Sequence, residues 1–182
     1  MQDKVRIGRK RTSVMTSRTP DKGSRVELQA WSDGHSLHDE YLNRLEPLLS
    51  PAITQFLPLS MAFEQGRDDI AIWMRCRNDE AEVFSVFDRE QGDLIGLTLF
   101  HRDAESRSIF LGYFLGEAYW GRGLATEAVI SALNKARRSG VECVFAFVDP
   151  KNPASARVLE KCGFSKEPGG SGEMLRFKLQ II

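Results

Sequence analysis

The chain has no run approaching the roughly 18 consecutive apolar residues that a membrane-spanning helix needs. No apolar signal-peptide core follows Met1. Its three cysteines, Cys76, Cys143 and Cys162, are odd in number, far apart and never in a C-x-x-C pair. That argues against a disulfide framework and against a zinc ribbon, so no metal site is expected. The expected setting is a reducing cytoplasm with free or buried thiols and no membrane partner. No internal repeat is visible. A surplus of either charge is missing too, since 25 Lys and Arg stand against 25 Asp and Glu.

What is present is an ordinary globular composition. The 182 residues are 42% hydrophobic and 27% charged, which fits one domain, or one domain with a tail. A chain of this size hides roughly 70% of its unfolded surface. The zero net charge conceals two unlike parts. Residues 1–22 hold seven basic residues against two acidic ones, so the remainder carries a charge of −5. Residues 1–23 read as a basic arm with almost no apolar periodicity. A nucleic-acid contact, a transit peptide, a solvated leader and a true start at Met15 all remain open for it.

Along the rest of the chain, a strand is expected over 25–30, followed by a helix over 35–49 capped by Ser32-Asp33-Gly34. Pro51 and Pro58 bracket a loop, and a second helix is expected over 62–77. Two apolar runs, 83–87 and 94–100, flank a polar hexapeptide and read as a hairpin. Residues 108–115 form a nearly unbroken apolar run, expected to be a central strand buried on both faces. From Ala125 the apolar residues fall at offsets 0, 3, 4, 7, 8 and 11, a helical stripe that ends at Gly140. A strand over 141–148 follows. Asn152 then serves as an N-cap with Pro153 at the first helical position, and the short helix stops at Gly163. A half-buried strand over 175–181 closes the chain. Strand, helix, strand over 108–148 is a βαβ unit, so those two strands should be parallel in an otherwise antiparallel sheet.

The informative segment is Tyr119-Trp120-Gly121-Arg122-Gly123-Leu124-Ala125-Thr126-Glu127. It joins a buried strand to a helix, with little side-chain bulk over the helix's first N–H groups. Those donors and the helix dipole favour a phosphate, and Arg122 adds positive charge. A tight turn that merely needs glycine is the plainer alternative. The segment fits neither a Walker A loop nor a G-x-G-x-x-G fingerprint, whose sixth position is here Thr126.

Trp120-Gly121-Arg122-Gly123-Leu124-Ala125 resembles the acetyl-CoA motif [Q/R]-x-x-G-x-[G/A] of the GCN5-related N-acetyltransferases, the GNAT superfamily. Gly112-Tyr113-Phe114-Leu115 and Tyr119 through Ala128 resemble the branch of the ribosomal-protein N-terminal acetyltransferases RimJ and RimL. Asn152-Pro153-Ala154-Ser155 and Leu159-Glu160-Lys161-Cys162-Gly163-Phe164 supply that branch's second signature. The resemblance covers about 24–182. It implies an α/β (α+β) GNAT fold: a mixed, mostly antiparallel sheet with a splayed central parallel pair and helices on both faces. It implies acetyl-CoA as cosubstrate and a primary amine as acceptor, either a protein N-terminus or a small cationic molecule. A non-catalytic acyl-CoA-binding module is the other reading. Nothing decides between monomer and homodimer.

The same resemblance assigns the pyrophosphate to the turn of Trp120, Gly121, Arg122, Gly123, Leu124, Ala125 and Thr126. It assigns the pantetheine arm to the backbone of Phe114 and Leu115 and to Asn152. Ser155 is placed near the thioester sulfur as hydrogen-bond donor. The chain departs from its relatives in two places. Leu159 stands where many members have an acid Tyr, and Phe110 where RimL-like members have a Glu. Tyr113, His101, Asp103 and Glu105 are the replacement candidates for proton transfer. The acidic balance of the folded part leans towards a cationic acceptor.

Overall fold

The computed structural model describes residues 23–31, 39–103, 105–168 and 174–181. Residues 1–22 of the expected arm and the cap at 32–34 lie outside them. Seven strands, β1 (Val26–Ala30), β2 (Glu82–Asp88), β3 (Leu94–Arg102), β4 (Ser108–Leu115), β5 (Cys143–Val148), β6 (Ser165–Lys166) and β7 (Leu175–Gln180), form one sheet in the order β1-β2-β3-β4-β5-β7-β6. Among the described residues only β4 and β5 pair in parallel; the other pairings are antiparallel. This is the mixed sheet that the βαβ reading requires.

Helix α4 (Leu124–Arg138) is the crossover. Its apolar stripe buries Val129, Ala132, Leu133 and Ala136 against Ile109, Leu111, Val144 and Ala146 of β4 and β5, and Ala128 against Val86, Ile95 and Leu115. Helix α5 (Pro153–Lys161) joins the same core through Leu159. The opposite face of the sheet carries a second core. There α1 (Asp39–Leu45), the one-turn α2 (Pro51–Thr54) and α3 (Ile70–Glu80) cover Leu97, Leu99 and Phe114.

The structure corrects several expected boundaries. The helix expected over 62–77 begins only at Ile70 and runs to Glu80. The Asp69 carboxylate takes the free N–H groups of Ala71 and Ile72, and Gly66 at φ +77° turns the chain just before. The helix expected over 35–49 is α1 followed by a 3₁₀ turn at 46–48, where Pro47 lacks an N–H. The supposed loop between Pro51 and Pro58 contains α2, with Pro51 at its first position. Strand β4 is not buried on both faces along its length. Phe110, Gly112 and Tyr113 are half-buried because β5 leaves its side.

Candidate active site

Strands β4 and β5 are paired only at Ser108–Cys143, Ile109–Val144 and Phe110–Phe145. Beyond Phe110 they part, although β4 continues to Leu115 and β5 to Val148. A cleft of about 960 Å³ opens there. It runs from the first turn of α4, past the splay, to Met61, Arg77 and Glu80 on the far side.

One end of this cleft is made largely of main chain. Gly123 is the N-cap of α4, in left-handed conformation at φ +80°, and no side chain caps the helix. The first intrahelical bond runs from Glu127 N to Gly123 O, 3.3 Å. The N–H groups of Leu124, Ala125 and Thr126 therefore start the helix without intrahelical partners, and all three residues line the cleft. Gly121 is also left-handed, at φ +71°, with open space where a Cβ would be. Trp120 closes the turn by donating its indole N–H to the Leu115 carbonyl, 2.7 Å.

This turn is held from behind by contacts that the sequence did not suggest. Arg25 donates to Glu127 through its backbone N–H and its guanidinium, and to the Arg122 carbonyl at 2.8 Å. Burial pushes the Glu127 carboxyl up, but the bonds from Arg25 outweigh it, so the carboxyl stays below its ordinary range.

The other long loop of the cleft precedes α5. The Asn152 side chain accepts the Ser155 N–H at 3.1 Å, and Pro153 occupies the first helical position. This cap aims Ser155 at β4. The Tyr113 Oη lies 2.8 Å from Ser155 Oγ and donates to the Ser155 carbonyl at 3.2 Å. Burial raises the Tyr113 phenol to about 12, with the Ser155 contact pulling the other way. A phenol held so high stays protonated at neutral pH, so it can donate a hydrogen bond but cannot serve as a base.

The structure brings Tyr113, Phe114, Leu115, Trp120, Gly121, Gly123, Leu124, Ala125, Thr126, Asn152 and Ser155 together on this one cleft. Arg122 is the exception. Its guanidinium turns away, to the buried carboxylate of Asp88 at 3.8 Å and the Tyr119 ring at 6.0 Å. The charge expected at the anion site is thus spent on Asp88, and the site rests on N–H donors.

Of the other proton-transfer candidates, His101 lines the cleft, whereas Asp103 and Glu105 do not. The Asp103 carboxylate accepts the Glu105 N–H and the Ser106 hydroxyl, which lower its pKa further from any base role. Leu159 is fully buried core. Phe110 stacks on Phe147, with ring centroids 5.6 Å apart and planes at 11°. Glu80 and Asp149, which sequence reasoning did not single out, are acids on the cleft wall. Among the described residues there is no cluster of three or more His, Cys, Asp or Glu that could hold a metal ion.

An anion cradle leading into a slot between parting strands suits a long ligand with a phosphate near one end and reactive chemistry at the other. The comparisons give that ligand class a family. The model described as "Acetyltransferase (GNAT) domain" matches residues 25–165, and the chain belongs to that family. The acyl donor of GNAT acetyltransferases is acetyl-CoA, and the site fits it: small residues, free N–H groups and an unpaired strand segment in line.

The chain is 30% identical to the uncharacterised N-acetyltransferase p20 of Bacillus licheniformis over 78% of its own length and 73% of p20. It is 40% identical to the probable N-acetyltransferase YjcK of Bacillus subtilis over 51% of its length and 53% of YjcK. Identity to the [ribosomal protein uS5]-alanine N-acetyltransferase of Escherichia coli is 29%, over 50% of this chain and 48% of that one. The alignments thus span about half of the last two relatives. The fold also matches spermidine N-acetyltransferase from Vibrio cholerae in complex with CoA and spermine. There the TM-score is 0.65 and identity 20%, over 86% of this chain and 96% of that one.

Proposed function

We propose that this GNAT domain acetylates a primary amine by direct attack of the amine on acetyl-CoA, with Ser155 as the catalytic hydrogen-bond donor and Tyr113 as its positioning residue. The observation that carries this reading is the Tyr113–Ser155 pair, 2.8 Å apart, where β4 and β5 part. Acetyl-CoA supplies an activated acetyl group and a thiolate leaving group. The amine nitrogen forms the new C–N bond as the C–S bond breaks. Its surplus proton leaves on the open side of the cleft, where His101 and Glu80 stand.

The chain's own contribution is mostly placement. Leu124, Ala125 and Thr126 offer N–H groups to the pyrophosphate. The exposed edge of β4 at Phe114 and Leu115 offers strand-like bonds to the pantetheine. The single Tyr113 proton can go to the Ser155 carbonyl or to Oγ; when it turns from the carbonyl to Oγ, the serine proton is free to point at the departing sulfur. The branch signature around Gly112–Leu115 and the uS5-alanine relative support a RimJ/RimL-like assignment within the family.

The test is release of CoA thiol from acetyl-CoA in the presence of amines, with Ser155→Ala alongside. The variant should lose about 10²-fold in kcat, the lower end of general acid–base contributions. Its melting shift with acetyl-CoA should be retained. Equal kcat in both proteins removes Ser155 from the mechanism. No melting shift with acetyl-CoA removes the reading itself.

A further inference from the structure

On the acceptor side of the splay the sheet exposes aromatic rings where a sheet interior normally has none. Strand β5 lies between β4 and β7, yet Phe147, next to its C-terminal end and just past the splay, is 51% exposed. Leaving that much apolar surface in water on an interior strand opposes folding, so its presence points to an occupant. Phe147 lies nearly parallel to Phe110, and Phe145 adds a third ring 5.6 Å from Phe110. Phe110 and Phe147 both line the cleft that holds Ser155. His101 pairs with Phe110 in the ladder, so its side chain shares the same face.

The charges on the wall agree with a flat, weakly charged occupant. Lys151, Arg157, Lys161 and Asp149 flank the Asn152–Ser155 segment, so Arg77 and Glu80 are the Arg, Lys, Asp or Glu residues at the acceptor end among the described lining residues. Glu80 is already bonded to the buried guanidinium of Arg77 at 3.1 Å. A polycation entering here finds the Glu80 carboxylate already taken by Arg77. An amine carried on an aromatic ring instead finds two parallel rings to stack against.

We infer that the acceptor is a small primary amine joined by a short linker to an aromatic ring, with Phe110 and Phe147 as the stacking platform that sets this specificity. This deepens the acetyltransferase reading and rests on it. The experiment measures CoA release with three acceptors: phenethylamine, spermidine and a basic peptide beginning with alanine. Phenethylamine should have the highest kcat/KM, by at least about tenfold. Phe147→Ala should raise the KM for phenethylamine about tenfold while leaving the KM for acetyl-CoA within about twofold. The melting shift of the variant with acetyl-CoA confirms that it is folded. Faster turnover of spermidine or of the peptide, no turnover of phenethylamine, or an unchanged phenethylamine KM in Phe147→Ala each overturns the aromatic acceptor while leaving the acetyltransferase standing. Absence of any acetyl-CoA melting shift in the unmodified protein overturns both.

Discussion

The two ends of the cleft are built from different materials. The end proposed for the coenzyme consists of N–H groups, two left-handed glycines and a strand edge, contributed by two short continuous segments, 113–126 and 152–155. The acceptor end consists of side chains, among them Met61, Arg77, His101, Phe110 and Phe147, gathered from four elements and the turn before α3. Main-chain recognition is fixed by local turn chemistry and tolerates little change. Side-chain recognition can be rebuilt one residue at a time without moving the backbone. The fold therefore holds its donor rigidly and leaves its acceptor adjustable.

The largest effect should come from changing the backbone behind the coenzyme end. Gly96 of β3 faces Leu115 across the ladder. A Cβ there would collide with the Phe114 carbonyl oxygen and stand 2.9 Å from the Leu115 Cα, neither of which can swing aside. Gly96→Ala should destabilise the fold by about 3 kcal/mol or more, read by chemical unfolding. A loss below about 1 kcal/mol would show that the coenzyme end yields as readily as the acceptor end.

Two half-buried tyrosines are each bonded to a serine, one at the cleft and one away from it. Tyr41 of α1, off the cleft, is 2.6 Å from Ser85 of β2, and Tyr113 is 2.8 Å from Ser155. Burial raises each phenol from 10.0 to about 12. The folded state thus holds these protons more tightly than the unfolded chain. Their contribution is complete below pH 10 and is lost as the pH rises to about 12. At 1.36 kcal/mol per unit, that is roughly 2–3 kcal/mol for each tyrosine. Unfolding curves between pH 9 and 12 should flatten in either Tyr41→Phe or Tyr113→Phe. Only Tyr113→Phe should lower kcat. A kcat loss in Tyr41→Phe would break the distinction between a structural and a positioning pair.

What the sequence revealed divides along the same line. Helix α4, the Asn152-Pro153 cap and the parallel β4–β5 pair were legible because their causes lie within a few residues of one another: an apolar stripe, a cap and proline pair, a crossover. The turn at 119–126 was legible as a glycine-built strand-to-helix turn with uncapped N–H groups for the same reason. The start of α3 was not, because Asp69 and Gly66 outweighed the apolar pattern that begins at Ala62. Nor was the Tyr113–Ser155 bond, which spans 42 positions. The charge of the cleft itself was not legible either: the folded part is acidic overall, while the described cleft wall carries more Arg and Lys than Asp and Glu. Net charge says little about a pocket that only a few side chains reach.

Within the coenzyme end, Gly123 should matter through its conformation. At φ +80° any residue with a Cβ pays roughly 1–2 kcal/mol, and the added carbon would also meet Arg25 Nη2 at 3.4 Å. Gly123→Val should raise the KM for acetyl-CoA about tenfold with acceptor KM unchanged. An effect on both substrates alike would mean that the two ends are not separately built.

The smallest effect is the sharpest check, because it concerns the side chain that the sequence favoured most. Arg122 sits in the centre of the anion-binding turn, and a positive charge at a pyrophosphate site is an obvious contributor. In the folded protein its guanidinium lies 3.8 Å from the buried Asp88 carboxylate and over Tyr119, off the cleft wall. A half-exposed pair of this kind contributes at most about 1 kcal/mol. If the cradle works through main-chain donors, Arg122→Ala should shift the KM for acetyl-CoA by less than about threefold, while Gly123→Val, one residue away, shifts it about tenfold. The reverse order would mean that Arg122 leaves Asp88 when acetyl-CoA arrives. The coenzyme end would then be built of side chains like its counterpart.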